Sequence, residues 1–135
     1  MSDNGYVVYI DGGSSGNPGE SAIGGVILFP DGKKETYSQK IGYATNNYAE
    51  YCSLINALGK LIQFGAKCVL VKSDSKLLVS QVRGEFRVRN KDLKKLCSKA
   101  LSMISSFDDF SICHIGREEN READRLVKKA LTLSR

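Results

Sequence analysis

Residues 6–13 read YVVYIDGG, a run of aromatic and β-branched residues that meets an acidic residue and two glycines. Tyr6 to Ile10 have the composition of a β-strand. Asp11 closes that strand, and a loop follows from Gly12 to Gly19 (GGSSGNPG). A carboxylate directly after an apolar strand is poorly placed for a solvated surface. It is well placed for a site at a sheet end, where open α/β sheets bind their ligands.

Outward from this stretch, Ala22–Phe29 and Lys34–Ile41 repeat the strand composition around a turn at Pro30-Asp31-Gly32. The first third of the chain therefore predicts an antiparallel meander. After Asn47 the apolar period lengthens. Leu54, Ile55, Leu58, Leu61 and Ile62 follow helical spacing, and Gly65 is a stop. Cys68–Lys72 (CVLVK) is a short apolar run, as expected of a buried parallel strand. Leu77–Val82 predicts a short helix ending near Gly84. Asn90 caps another, with Leu93, Leu96, Cys97, Ala100, Leu101 and Ile104 on its apolar face. Phe110–Ile115 (FSICHI) is a fifth strand. Asn120 caps a last helix whose inner face holds Ala123, Leu126, Val127 and Ala130. The order βββ-α-β-α-α-β-α predicts an α/β fold with one mixed sheet flanked by helices.

The chain has 135 residues, 41% hydrophobic and 26% charged, which fits one globular domain over residues 1–135. Its net charge of +5 favours polyanionic partners, as it does in many unrelated domains. Neither a secretory signal nor a membrane span is visible, so a cytoplasmic protein without membrane association is expected. Cys52, Cys68, Cys97 and Cys113 lack C-x-x-C spacing, which argues against zinc. Four buried thiols in a reducing compartment are expected, and a disulfide between two of them stays open.

Four carboxylates sit at or beside element ends: Asp11, Glu50, Asp74 and Asp124. Each also has a plainer use. Asp74 precedes a helix and suits an N-cap. Asn47 and Glu50 have capping-box spacing. Asp124 can pair with Lys128 at i,i+4, and Asp11 can be a turn residue. If the four converge instead, each close pair repels by about 4 kcal/mol at an effective dielectric of 20. They then stay ionised only beside cations, or some protonate. Hard oxygen ligands without His or Cys suit Mg²⁺ or Mn²⁺.

The strings YIDGGSSGNPG (9–19), ATNNYAE (44–50), KSDSKL (72–77) and REENREADRL (117–126) resemble those of the type 1 ribonucleases H, in the same order and over nearly the whole chain. The match is closest to the short single-domain bacterial and archaeal branch. The resemblance implies an RNase H-like fold with a five-stranded mixed sheet in the order 3-2-1-4-5, strands 1–3 antiparallel. It implies an endoribonuclease that cuts the RNA strand of RNA·DNA hybrids, leaving 5′-phosphate and 3′-hydroxyl ends. It also implies that Asp11, Glu50, Asp74 and Asp124 ligate two Mg²⁺ ions, replaceable by Mn²⁺. Asp11 would be shared, Glu50 and Asp74 would support one ion, and Asp124 the other.

An enzyme with this substrate must detect the RNA 2′-hydroxyl. Gly12 and Gly13 let a nucleic-acid backbone approach the main chain; a bulge or tight turn is their structural alternative. Asn17, Asn46 and Asn47 suit sugar or base-edge contacts, and equally suit turns and caps. Lys76, beside Asp74, is a further candidate substrate contact. No sequence-reading motif is present, so binding should be sequence-independent and salt-sensitive. Arg83, Arg87, Arg89, Lys91, Lys94 and Lys95 form either a solvated charged face or a phosphate track.

The sequence departs from the family in two places. Many members carry a mobile His before the last acid, but here the loop reads HIGREENREAD, and His114 falls in a strand as a structural residue. Arg117, seven residues before Asp124, is the positional counterpart. It cannot act as a base near neutral pH, but can orient a phosphate or aid product departure. The long basic insertion of some members is missing, as is an appended hybrid-binding domain, so weaker, non-processive binding by a monomer is expected. Two alternatives stand beside this reading. One is a nuclease of the same fold that also cuts double-stranded RNA or RNA–DNA junctions. The other is an inactive hybrid-binding module.

Overall fold

The computed structural model describes residues 5–132. Strands β1 (Gly5–Ser15), β2 (Gly19–Leu28) and β3 (Lys34–Ala44) lead into helix α1 (Asn46–Gln63). Strand β4 (Cys68–Ser73), helices α2 (Lys76–Val82) and α3 (Lys91–Ile104), and strand β5 (Asp109–His114) follow. A single 3-10 turn (Arg117–Glu119) precedes helix α4 (Arg121–Thr132). The five strands form one sheet in the order β3-β2-β1-β4-β5. β1 pairs antiparallel with β2, and β2 with β3; β4 runs parallel to β1, and β5 to β4. The expected element order and sheet are found.

Strand alternation places Val8 and Ile10 of β1, Ile27 of β2 and Val71 of β4 on one face. All four are fully buried, together with Leu54, Leu58 and Leu61 of α1. With Cys97 and Ala100 of α3 they belong to the main core. A smaller cluster of Ala22, Val127 and Ala130 seats α4 on the other face.

Three expectations need correction. The glycine-rich loop is mostly strand: β1 continues to Ser15 and β2 starts at Gly19, paired as Ser15↔Glu20, so only residues 16–18 turn. Gly12 and Gly13 sit in regular antiparallel pairing, and the one register shift falls between β2 and β3 at Ser21/Ala22. Gly12 is required by packing, because a Cβ there would lie 2.4 Å from the Ala49 carbonyl carbon and oxygen at the start of α1. Gly24 plays the same part on the other face, where a Cβ would lie 2.6 Å from Ala123 O of α4. Of the four cysteines, all free, only Cys97 is buried. Ile62 and Leu101, given to apolar helix faces by their spacing, are exposed. No helix among the described residues is long and apolar enough to cross a membrane.

Candidate active site

The parallel ladder between β1 and β4 ends at Ile10↔Ser73, and the next residue on each chain is an acid, Asp11 and Asp74. Two carboxylates are thus delivered to one end of the sheet. Asp11 is still inside β1, facing Gly24 of β2, and not in a turn. Glu50 joins them because α1 begins against Gly12. Asp124 arrives from the first turn of α4. One carboxylate oxygen from each of Asp11, Glu50 and Asp74 lies within 4.8 Å of the other two. Asp124 lies on the Asp11 side and lines the same cleft, which measures about 410 Å³.

The N-cap of α1 is Thr45, whose Oγ1 accepts from Tyr48 N at 3.1 Å, so Asn47 and Glu50 form no capping box. The N-cap of α2 is Ser75, not Asp74. The expected pair does form at Asp124, where Lys128 Nζ stands 3.0 Å from Oδ2.

The electrostatics of the cleft favour the binding of positive charge. Asp11 is 7% exposed and its carboxyl is pushed up to about 8, first by burial, then by Asp74 and Asp124. Glu50, 8% exposed, is raised well above the ordinary carboxylate range by burial, Asp11 and Asp74; the Gly12 N–H and Arg117 act against the shift. Glu50 Oε1 is buried without a hydrogen-bond partner. A bare buried acceptor costs about 1–3 kcal/mol. Among the described residues no ion pair reaches Asp11, Glu50 or Asp74. Converging hard oxygens, one of them an orphaned buried acceptor, fit a divalent Mg²⁺ or Mn²⁺.

The remaining candidates divide. Gly12, Gly13, Asn46 and Arg117 line the cleft with the acids. Asn17 supports it, its Oδ1 accepting from Asn46 N at 3.0 Å. Asn46 Oδ1 in turn accepts from Ser14 N at 2.8 Å, so this pair ties the β1–β2 hairpin to α1. Asn47 and Lys76 are exposed and do not line the cleft. Nor does His114, which ends β5 exposed and is not a buried structural residue. Ser14 and Lys128 line the cleft without having been singled out for it, and nothing in their local sequence marks them. Asn120 is the larger omission. Read as a cap, it is 1% exposed and donates from Nδ2 to Ile10 O at 2.9 Å and to Asp74 Oδ2 at 3.1 Å.

Residues 9–130 match the family model described as reverse transcriptase-like. The chain is 40% identical over 124 residues to ribonuclease HI of Halobacterium salinarum, covering 91% of this chain and 62% of that protein. It spans only 35% of a bifunctional Mycobacterium tuberculosis protein to which it is 39% identical. The N-terminal RNase H domain from M. tuberculosis superposes with a TM-score of 0.89 at 39% identity, covering 93% of this chain and 98% of that one. LC11-RNase H1, isolated from compost, has been solved in complex with an RNA/DNA hybrid. It superposes with a TM-score of 0.87 at 37% identity, covering 94% and 96% of the two chains.

Proposed function

The chain belongs to the type 1 ribonuclease H family, and on that premise we propose that it hydrolyses the RNA strand of RNA·DNA hybrids, leaving 5′-phosphate and 3′-hydroxyl ends. The observation that carries this reading is the convergence of Asp11, Glu50 and Asp74 within 4.8 Å, none of the three in an ion pair among the described residues. These three, with Asp124 beside Asp11, would hold two Mg²⁺ ions or Mn²⁺ in their place, Asp11 being shared. Held there, such ions would supply Lewis acidity for activating a water nucleophile and for stabilising charge on the departing 3′ oxygen.

The chain's own groups supply the rest. Arg117 and Lys128 line the cleft and give it positive charge for a phosphate. A guanidinium is no general base, so the role of Arg117 is to orient the phosphate or help product leave. Because Asn46 Oδ1 is occupied by Ser14 N–H, its two amide hydrogens remain to donate to a sugar hydroxyl or a base edge. Gly13 leaves that wall open, since a Cβ there would meet nothing nearer than 3.7 Å. The hybrid bound by LC11-RNase H1 supports the same class of substrate for this cleft.

Asp11→Asn is the direct test. The variant should lose metal-dependent cleavage of a labelled hybrid while binding the hybrid about as tightly as wild type. Cleavage at the wild-type rate would remove Asp11 from the site.

A further inference from the structure

Asn120 stands between the 3-10 turn and α4, where its carbonyl accepts from Asp124 N at 3.1 Å. Its backbone thus occupies the capping position of α4. An Asn at that position ordinarily turns its side-chain oxygen onto the free amides of the first turn. Here that oxygen, Oδ1, is buried and has no partner. The amide nitrogen is instead directed at two acceptors, Ile10 O and Asp74 Oδ2. Both partners are oxygens without a hydrogen to give, which fixes which end of the amide is Nδ2 and uses both of its hydrogens. The residue therefore forgoes a helix cap and leaves a buried acceptor orphaned, two features that each lower stability.

What these contacts join explains the sacrifice. Ile10 is the residue before Asp11, Asp74 is held directly, and Asp124 is bonded through the backbone. One side chain and its carbonyl link the positions of three acids that come from β1, the end of β4 and α4. We propose that Asn120 is a positioning residue that fixes the Asp74 carboxylate and the end of β1 in the arrangement that binds the cation. This rests on the functional reading above, but its test does not depend on cleavage alone. Groups that orient metal ligands in this way commonly govern affinity by 10–100-fold.

The informative variant is Asn120→Ser. Serine restores a side chain suited to capping α4, removes the orphaned oxygen, and cannot donate two hydrogens. Mn²⁺ titration of the substrate-free protein by calorimetry should show affinity weakened at least tenfold. The melting temperature in EDTA should stay equal to wild type or rise. With hybrid as substrate, kcat should fall while KM changes little. Asn120→Asp, which places a carboxylate against two acceptors, should weaken Mn²⁺ binding at least as much. A merely structural residue would show the reverse for Asn120→Ser: a lower melting temperature with Mn²⁺ affinity and kcat intact. Mn²⁺ affinity within twofold of wild type in both variants would overturn the proposal. Loss of Mn²⁺ binding in the variants, with a wild type that cuts no hybrid, would uphold the positioning role and contradict the proposed function.

Discussion

Asp11 shares the electrostatic cost of the site with Glu50. Its folded-state value is about 8 against an ordinary 3.8. A carboxyl raised on folding leaves stability intact below about pH 4, and that stability is lost as pH rises through about 8. Asp11→Asn removes this titration. In EDTA the variant should match wild type near pH 4, exceed it increasingly between about pH 4 and 8 and level off above that, by several kcal/mol on the order-of-magnitude scale of the shift. The largest cause of the Glu50 shift is burial, which Asp11→Asn leaves in place, so Glu50 does not reverse the sign. Urea melts across that range would check this, and a difference independent of pH would show that the carboxylates do not crowd. At this scale the four acids were legible, because each falls at or beside an element end, in motifs with family spacing. Asn120 was not, because an Asn before a helix is usually a cap, and its partners lie 110 and 46 residues away in sequence.

The glycines of β1 act between elements. Local sequence gives GGSSGNPG the composition of a loop, yet Gly12 and Gly13 lie in an unbroken strand. The reason for Gly12 is the α1 backbone 2.4 Å from where a Cβ would sit, a contact no window of neighbouring residues records. Gly12→Ala must push α1 away from β1, and Glu50 with it. It should cost about 1–3 kcal/mol, as overpacking does, and depress cleavage severely. Gly13→Ala meets only atoms at 3.7 Å or beyond and should leave the melting temperature nearly unchanged. Equal melting temperatures for the two variants would contradict this account of the β1–α1 contact. Helices and strands as such were readable from apolar period, which survives in Leu54, Leu58 and Leu61 and in Val8 and Ile10. Strand ends were less so, since pairing with a neighbour, not composition, sets where a strand stops.

Across the whole molecule, the +5 charge is unevenly used. Arg83, counted by sequence with the basic segment, is tied down: its Nε donates to Ile112 O at 3.0 Å and its guanidinium pairs with Glu85 at 3.8 Å. Arg87 and Arg89 make no ion pair among the described residues and flank a concavity with Lys94. If that stretch tracks phosphates, binding should weaken linearly in log salt, and Arg87→Ala and Arg89→Ala should each reduce the slope by about 1. An unchanged slope would make it a solvated face. The central claim is that the acidic cleft cuts RNA paired with DNA. It is tested most directly by offering end-labelled RNA·DNA, RNA·RNA, DNA·DNA and single-stranded RNA with Mg²⁺, Mn²⁺ or EDTA. The account predicts cutting confined to the RNA of the hybrid and abolished by EDTA. Hybrid bound but never cut, with either metal, would contradict it.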